Sequence, residues 1–520
     1  MLEPSLTKQS AWLLTAKVIG FAVSFVLPLV LVRQLAQDDF GVYRQAFTVV
    51  NTAVGILPLG LGMSAFYYLS RNEKWRASAV FNILIFYFVM GGIACLTLVA
   101  FPEILGRLFS ESEMAVLSPL IGLLIWVWIF SLFLETAAVA NKEPILALAF
   151  IVFAQVSKTI LLITGVSFFG TVRAIIIAAI IQGLLQSIIL LVYLNNRFPQ
   201  FWMKFDLSFF REHMAYALPF GFAGLFWIVQ TDAHLYFVGN NFSTSEYAIY
   251  IVGCSQIPLI SMLHESVTSV MIPRMSELQN TNNQKEMIRL TAVAATKLST
   301  IYLPVFVFLF ITAETFIVVL FTREFTESTP IFRIFLLLIP LSVLVKDPIV
   351  RAHTDMGNFL LKLRIASIPI LIAALYFAVG TNDLRMVILT VVLFTTMESL
   401  VLAVVVFRKV GMEFTDFRLF SSVGKTAVIS MLAGIAAFIA YAFLKTPLRS
   451  VADQVVRSII PEPGVNILDE AAGLLILSSV FAIFAVLYIF FIFRFGVVSN
   501  EDKDWLLDVF SRMKFGRRNA

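Results

Sequence analysis

The sequence predicts an all-α, polytopic membrane protein of about 14 transmembrane helices, arranged as two pseudo-symmetric six-helix lobes with two extra C-terminal helices. Three observations carry this. First, the 520 residues are 59% hydrophobic and 14% charged, with a mean hydropathy of +0.91, which is more apolar surface than a water-soluble chain of this length can bury. Second, apolar runs of roughly 20 residues recur from end to end, the length an α-helix needs to cross ~30 Å of hydrocarbon, and the ~10-residue alternating segments of a barrel are missing. Third, the turn Leu31–Tyr43 (LVRQLAQDDFGVY) has a second copy at Tyr236–Tyr250 (YFVGNNFSTSEYAIY). Asp39, Phe40, Gly41, Val42 and Tyr43 are answered by Glu246, Tyr247, Ala248, Ile249 and Tyr250, each copy between the first and second apolar spans of its half. Internal repeats of this kind are how many transporters are built.

In chain order the spans fall at about 11–32, 45–68, 79–101, 116–139, 145–168, 172–194, 213–239, 247–272, 291–320, 330–350, 358–379, 386–407, 425–444 and 471–493. The first is too long for the h-region of a signal peptide and no small-residue cleavage pattern follows it, so it is expected to remain in the protein. Spans 1, 2, 7 and 8 each carry an interior proline, Pro28, Pro58, Pro219 and Pro258. Proline removes a backbone hydrogen bond and bends a helix, which makes these four the hinge candidates. Between the sixth and seventh spans, Arg197–Arg211 (RFPQFWMKFDLSFFR) interleaves aromatic and cationic residues and reads as an interfacial segment with its rings at headgroup depth. The segment Lys445–Asp469, between the last two spans, is the longest outer loop, with VADQVVRSII able to form one amphipathic turn or two. After residue 500, Trp505, Leu506, Val509, Phe510 and Met513 share one helical face ahead of Lys514, Arg517 and Arg518, the pattern of a helix lying on an anionic leaflet.

These features divide the chain into an N-lobe at 1–197, an inner interfacial linker at 198–211, a C-lobe at 212–409, helices 13 and 14 at 410–498 and a basic amphipathic tail at 499–520. An even number of crossings puts both termini on one side, and placing them in the cytoplasm sends most of the 38 Lys and Arg residues to inner loops. The net charge of +5 is therefore assigned to loops facing anionic lipid, and no nucleic-acid partner is expected. Cys95 and Cys254 both fall inside apolar spans, where they read as packing residues.

No soluble-enzyme signature is present: there is no GxxxxGK[ST], HExxH, CxxC or GxSxG, and the four histidines lack metal-ligand spacing. A metal site, a cofactor and enzymatic activity are accordingly not expected. A membrane glycosyltransferase or polymerase usually needs a sizeable outer loop, and no outer loop here is long enough to form a domain. Charge inside the bilayer is the remaining signal, since an ionisable group at mid-span costs ~2.5–3.5 kcal/mol on insertion scales. Lys17 and Lys297 lie ~9–10 Å inside their spans, within reach of snorkelling. Lys158 lies roughly 20 Å in, close to mid-membrane, and needs cavity water or an acidic partner. Among titratable groups, Glu398 lies near the middle of span 12, His264 and Glu265 in the inner half of span 8, and Asp232 in the outer half of span 7. Such groups are candidates for coupling transport to H⁺ or Na⁺.

The pattern Arg33, Leu35, Phe40, Gly41, Tyr43 resembles the first external turn of the Wzx-type oligosaccharide flippases of the MOP superfamily. Asp232–Tyr250 looks like that family's turn between helices 7 and 8, and IPRMSEL at Ile272–Leu278 like its exit from helix 8. Ala248 departs from the glycine expected in the second turn. The resemblance implies two lobes around a central cavity and a lipid-linked substrate, the repeat unit of an O-antigen or other polysaccharide such as that of lipopolysaccharide. It also implies that Lys17, Lys158 and Lys297 receive the pyrophosphate, as donor-rich point charges suited to it.

The expected function is a secondary transporter that flips an undecaprenyl-pyrophosphate-linked oligosaccharide from the inner to the outer leaflet of a bacterial cytoplasmic membrane by alternating access. Expected partners are the lipid-linked substrate, membrane lipids, and a polysaccharide polymerase and glycosyltransferases of the same route, with the transporter working as a monomer. The alternatives are a lipid II flippase, a MATE-type cation-coupled exporter and, further off, a membrane glycosyltransferase or polymerase.

Overall fold

The computed structural model describes residues 20, 23, 26–71, 73–460 and 462–497, so Lys17 and the tail at 499–520 lie outside the described residues. Every regular element among the described residues is an α-helix or a 3₁₀ turn. Helix α1 covers 26–34 and is followed by α2 (Gln37–Ile56), α3 (Leu61–Arg71), α4 (Glu73–Ala100) and the short α5 (Glu103–Phe109). Next come α6 (Ser112–Ser131), α7 (Phe133–Ala140), α8 (Pro144–Phe169), α9 (Val172–Arg197) and α10 (Leu207–Asn241). The second half continues with α11 (Thr244–Gly253), α12 (Pro258–Asn280), α13 (Gln284–Phe321), α14 (Ser328–Leu336), α15 (Leu338–Leu341) and α16 (Asp347–Ala352). It ends with α17 (Thr354–Val379), α18 (Leu384–Lys409), α19 (Ser421–Ile459) and α20 (Val465–Arg494).

Nine helices among the described residues are long and apolar enough to cross a membrane, or ten if α11 and α12, bent by 49° at their junction, form one span. The shortfall against about 14 has local causes. The span expected at 11–32 lies mostly outside the described residues. That at 45–68 is interrupted at 57–60, where Leu59 and Gly60 take left-handed φ values of 47° and 71°. A non-glycine residue in that region costs about 1–2 kcal/mol, so the break at Leu59 persists only because the surroundings impose it. The span expected at 330–350 is divided among α14, α15, a turn and α16. The seventh, at 213–239, lies within the longer α10, which is not among those nine.

Two further sequence expectations are refined. Residues 445–459 are not a loop with a turn or two but the continuation of α19, whose 39 residues at 1.5 Å per residue reach about 58 Å. Ala452 is buried and Arg449 pairs with the buried Asp469 of α20, which holds this extension in place. The interfacial segment is a 3₁₀ turn at Phe201–Met203 leading into α10. Its rings pack on α4, Phe81 lying 6.3 Å from both Phe201 and Phe205, while Trp202 and Met203 stay exposed. Asp206 caps α10 by accepting from the Phe209 N–H (3.0 Å) and the Ser208 hydroxyl (2.7 Å), and these bonds hold its carboxyl below the ordinary carboxylate value.

The chain forms two compact units, one of residues 1–252 with 361–391, the other of 253–360 with 392–520. In the first, α10 and nearly all of α11, which open the second copy of the repeat, are compact with the helices of the first copy. Phe40, Tyr43 and Phe47 of α2 are buried there. In the second, α13, α19 and α20 pack as three helices around Ala433, Ala437, Ile476, Val480 and Phe484. Tyr441 bonds Thr315 (2.8 Å) and Tyr488 donates to the Thr300 carbonyl (2.8 Å), pinning the last two helices to α13. Neither Cys95 nor Cys254 is in a disulfide.

Candidate functional site

In the first unit a polar seam joins α2 to α10 and α11. At 3.6 residues per turn, Gly41, Gln45, Thr48, Thr52 and Gly55 line one face of α2. Gly41 meets Thr244 so closely that a Cβ there would overlap the Thr244 carbonyl oxygen and stand 2.8 Å from its carbon. The Ser245 hydroxyl donates to Gln37 Oε1 (3.2 Å), and the Thr48 and Tyr247 hydroxyls bond each other at 2.9 Å. Thr52 donates to Asp232 Oδ2 (3.0 Å), and Thr231 to its Oδ1 (3.2 Å). A Cβ on Gly55 would stand 2.6 Å from Ile228 Cδ1, and one on Gly221 would overlap the Leu59 carbonyl at the 57–60 break. The two copies of the repeated turn thus pack against one another. Gln45 is fully buried on the same face, and its amide has no hydrogen-bond partner among the described residues.

Of the predicted cations, Lys158 is half-buried on α8 with its Nζ 4.5 Å from the centroid of the Trp128 ring on α6. That ring is held by its Nε1–H donating to the Ala179 carbonyl (3.1 Å) and by Phe47 edge-on at 5.8 Å. Among the described residues no carboxylate lies within ion-pair distance of Lys158. An ammonium over an indole face gains about 0.5–2 kcal/mol, which offsets part of the cost of placing it in a span. Lys297 is exposed on α13, in the second unit. Lys17 lies outside the described residues.

Of the titratable candidates, Asp232 sits in the seam of the first unit. His264 and Glu265 lie on α12 in the second, His264 half-buried with its Nδ1 unbonded among the described residues and Glu265 exposed. Glu398 on α18 lies within electrostatic reach of Lys346, whose ammonium donates to the Ser399 carbonyl (3.3 Å) and contacts the Ser399 hydroxyl. Of the prolines, Pro58 falls in the 57–60 break and Pro258 opens α12 at the 49° bend, so each marks an interruption of the second span of its half. Pro28 lies in α1 and Pro219 inside the unbroken α10.

Sequence reasoning missed three participants. Trp128 gave no signal, because nothing in hydropathy marks which ring a lysine will meet. Lys346 and Arg364 could have been found by depth, as Lys17 was; each lies several residues inside an expected span. The Arg364 guanidinium stacks 4.6 Å above the Trp227 ring.

A profile of polysaccharide biosynthesis proteins matches residues 30–330, more than half of the chain. No curated protein matches the sequence significantly. Among solved structures, the lipid II flippase MurJ in an inward closed conformation is similar over 94% of this chain and 98% of its own, at 12% identity and a TM-score of 0.66. An inward-facing multidrug resistance transporter of the MATE family, MOP superfamily, covers 76% of this chain and 98% of its own, at 13% identity and a TM-score of 0.62. A MOP superfamily transporter from Pyrococcus furiosus covers 79% and 97%, at 14% identity and a TM-score of 0.57. The likeness in fold runs through helices that the profile does not reach, and together the two findings establish that this chain belongs to the polysaccharide biosynthesis protein family and has the all-helical fold of the MOP-superfamily transporters.

Proposed function

We propose that the protein is a secondary flippase for an undecaprenyl-pyrophosphate-linked oligosaccharide, moving it from the inner to the outer leaflet of a bacterial cytoplasmic membrane, with both termini cytoplasmic. The observation that carries this reading is Lys158, a cation held within a span by an aromatic face instead of a carboxylate, in a family of polysaccharide biosynthesis proteins. Such an ammonium keeps its charge available for a phosphate. Lys17 and Lys297 are its proposed companions, and the repeat supplies the two six-helix lobes that alternate.

In this reading the α2–α10/α11 seam closes the outer side, and the breaks at Pro58 and Pro258 are the hinges, with Pro28 and Pro219 as further bending points. Opening must separate Thr48 from Tyr247 and Thr52 from Asp232. Loading Asp232 with a proton or Na⁺ removes the negative charge that Thr52 and Thr231 both solvate, so coupling at this seam links cation binding to opening. His264, Glu265 and Glu398 are the other coupling candidates.

The test is flipping in proteoliposomes of a fluorescent undecaprenyl-pyrophosphate oligosaccharide, followed by its accessibility to an impermeant glycosidase or quencher. Protein-dependent translocation without sugar transfer is expected. Translocation of lipid II but not of the oligosaccharide would assign the cargo to the peptidoglycan route, and no translocation of either would defeat the flippase reading. In the same assay, Asp232→Asn should flatten the dependence of transport on pH or sodium while leaving the protein folded, because the amide keeps one acceptor for Thr52 and cannot titrate. An unchanged ion profile would make Asp232 structural.

A further inference from the structure

The first unit carries a second feature that the transport reading does not use. Between α8 and α9 lies a groove of ≈ 310 Å³ walled by Leu146, Phe150, Ile189 and Val192 and ending at Tyr193, Asn196 and Arg197. Val192 is 57% exposed, so the groove opens sideways on the surface that faces hydrocarbon. Its polar end coincides with the start of α8 and the last turn of α9, where both spans finish and headgroups begin.

That polar end is built. Glu143, just before Pro144, accepts from Arg197 Nε at 2.8 Å through Oε1 and from the Tyr193 hydroxyl at 2.7 Å through Oε2. Asn141 in turn donates to the Tyr193 hydroxyl (3.3 Å), and the Phe150 ring stands edge-on to Tyr193 at 5.5 Å. With both carboxylate oxygens engaged, the guanidinium is held through its Nε, and its side chain remains 49% exposed, which leaves its terminal amino groups to a ligand. The Arg197 amino groups that Glu143 leaves unused are donors of the kind that hold one phosphodiester.

We propose that this groove holds one anionic phospholipid, with an acyl chain along Leu146, Phe150, Ile189 and Val192 and its phosphate on Arg197 beside Asn196. The walls have the chemistry of a hydrocarbon chain, and the fixed guanidinium sits at the depth of the phosphate. A zwitterionic headgroup would bring its ammonium beside the Arg197 guanidinium, so the site selects for net negative charge. The inference requires only that the chain span a membrane and is independent of the cargo.

Native mass spectrometry of the full-length protein, purified with equimolar phosphatidylglycerol and phosphatidylcholine, tests it. The wild type should retain phosphatidylglycerol about tenfold over phosphatidylcholine, the scale of one charge-assisted contact. Arg197→Gln should lose that preference and Arg197→Lys keep part of it, with monodisperse elution showing that each variant is folded. Val192→Trp fills the groove without altering charge and should lose the retained lipid as well. An unchanged preference in Arg197→Gln overturns the proposal. So does full retention in Val192→Trp, which would reduce the effect to headgroup electrostatics, or displacement of phosphatidylglycerol by an equimolar polyprenyl phosphate, which would give the groove to an isoprenoid tail.

Discussion

Lys158→Gln is expected to abolish oligosaccharide export while leaving the protein inserted and folded. The ammonium lies within α8 over Trp128, with no carboxylate in ion-pair distance among the described residues. Removing it leaves no buried acid behind and spares the ~2.5–3.5 kcal/mol that a mid-span charge costs on insertion. What is lost, at most about 2 kcal/mol of cation–π attraction, is smaller than that saving. Expression should therefore hold or improve. Export should fail because a neutral amide cannot hold a pyrophosphate, and Lys158→Arg should retain part of it, since a guanidinium keeps the charge and stacks on indole. Glu398 has its own cation in Lys346, so adding Glu398→Gln should bring no rescue. Glycan at the cell surface and folded protein in the membrane are the two quantities to measure together. Normal export by a well-expressed Lys158→Gln protein would sink the phosphate-binding role.

Gly41→Ala is expected to open or destabilise the seam by an amount out of proportion to one methyl group. The added Cβ would overlap the Thr244 carbonyl, which is backbone at the start of α11 and cannot swing aside as a side chain could. Relief requires α2 and α11 to separate, and overpacking of this kind typically costs about 1–3 kcal/mol. The separation also strains the Thr48–Tyr247 and Ser245–Gln37 bonds on either side. A lowered thermal midpoint, and faster labelling of a cysteine placed at Ser243 by an impermeant reagent, are the measurements. Ala248, the equivalent position of the second copy, is fully buried and already accommodates its methyl, so Ala248→Gly should have a far smaller effect on labelling. If Gly41→Ala labels and melts like the wild type, the seam does not govern opening.

The sequence alone decided the properties that are local along the chain. Membrane insertion depends on hydropathy summed over roughly one span, so the all-helical class and the long helices α4, α6, α8, α9 and α13 could be read directly. The repeat was legible for the same reason, since a motif is a comparison of short strings, and the position of Lys158 near the middle of α8 followed from counting residues. Tertiary structure decided everything that depends on which helices meet. Pro58 marked a bend in the second span, but the left-handed turn at Leu59 and Gly60 that breaks the helix there is set by the approach of Gly221 to the Leu59 carbonyl. Residues 445–459 are polar enough for a loop, and the pairing of Arg449 with Asp469 on the adjacent helix keeps them helical. Trp128 under Lys158, Thr52 on Asp232 and Gly41 against Thr244 join residues 30, 180 and 203 positions apart. In lipid, hydropathy is satisfied equally by a neighbouring helix or an acyl chain. The choice of partner therefore falls to close packing and hydrogen bonding, and these exist only once the helices have met.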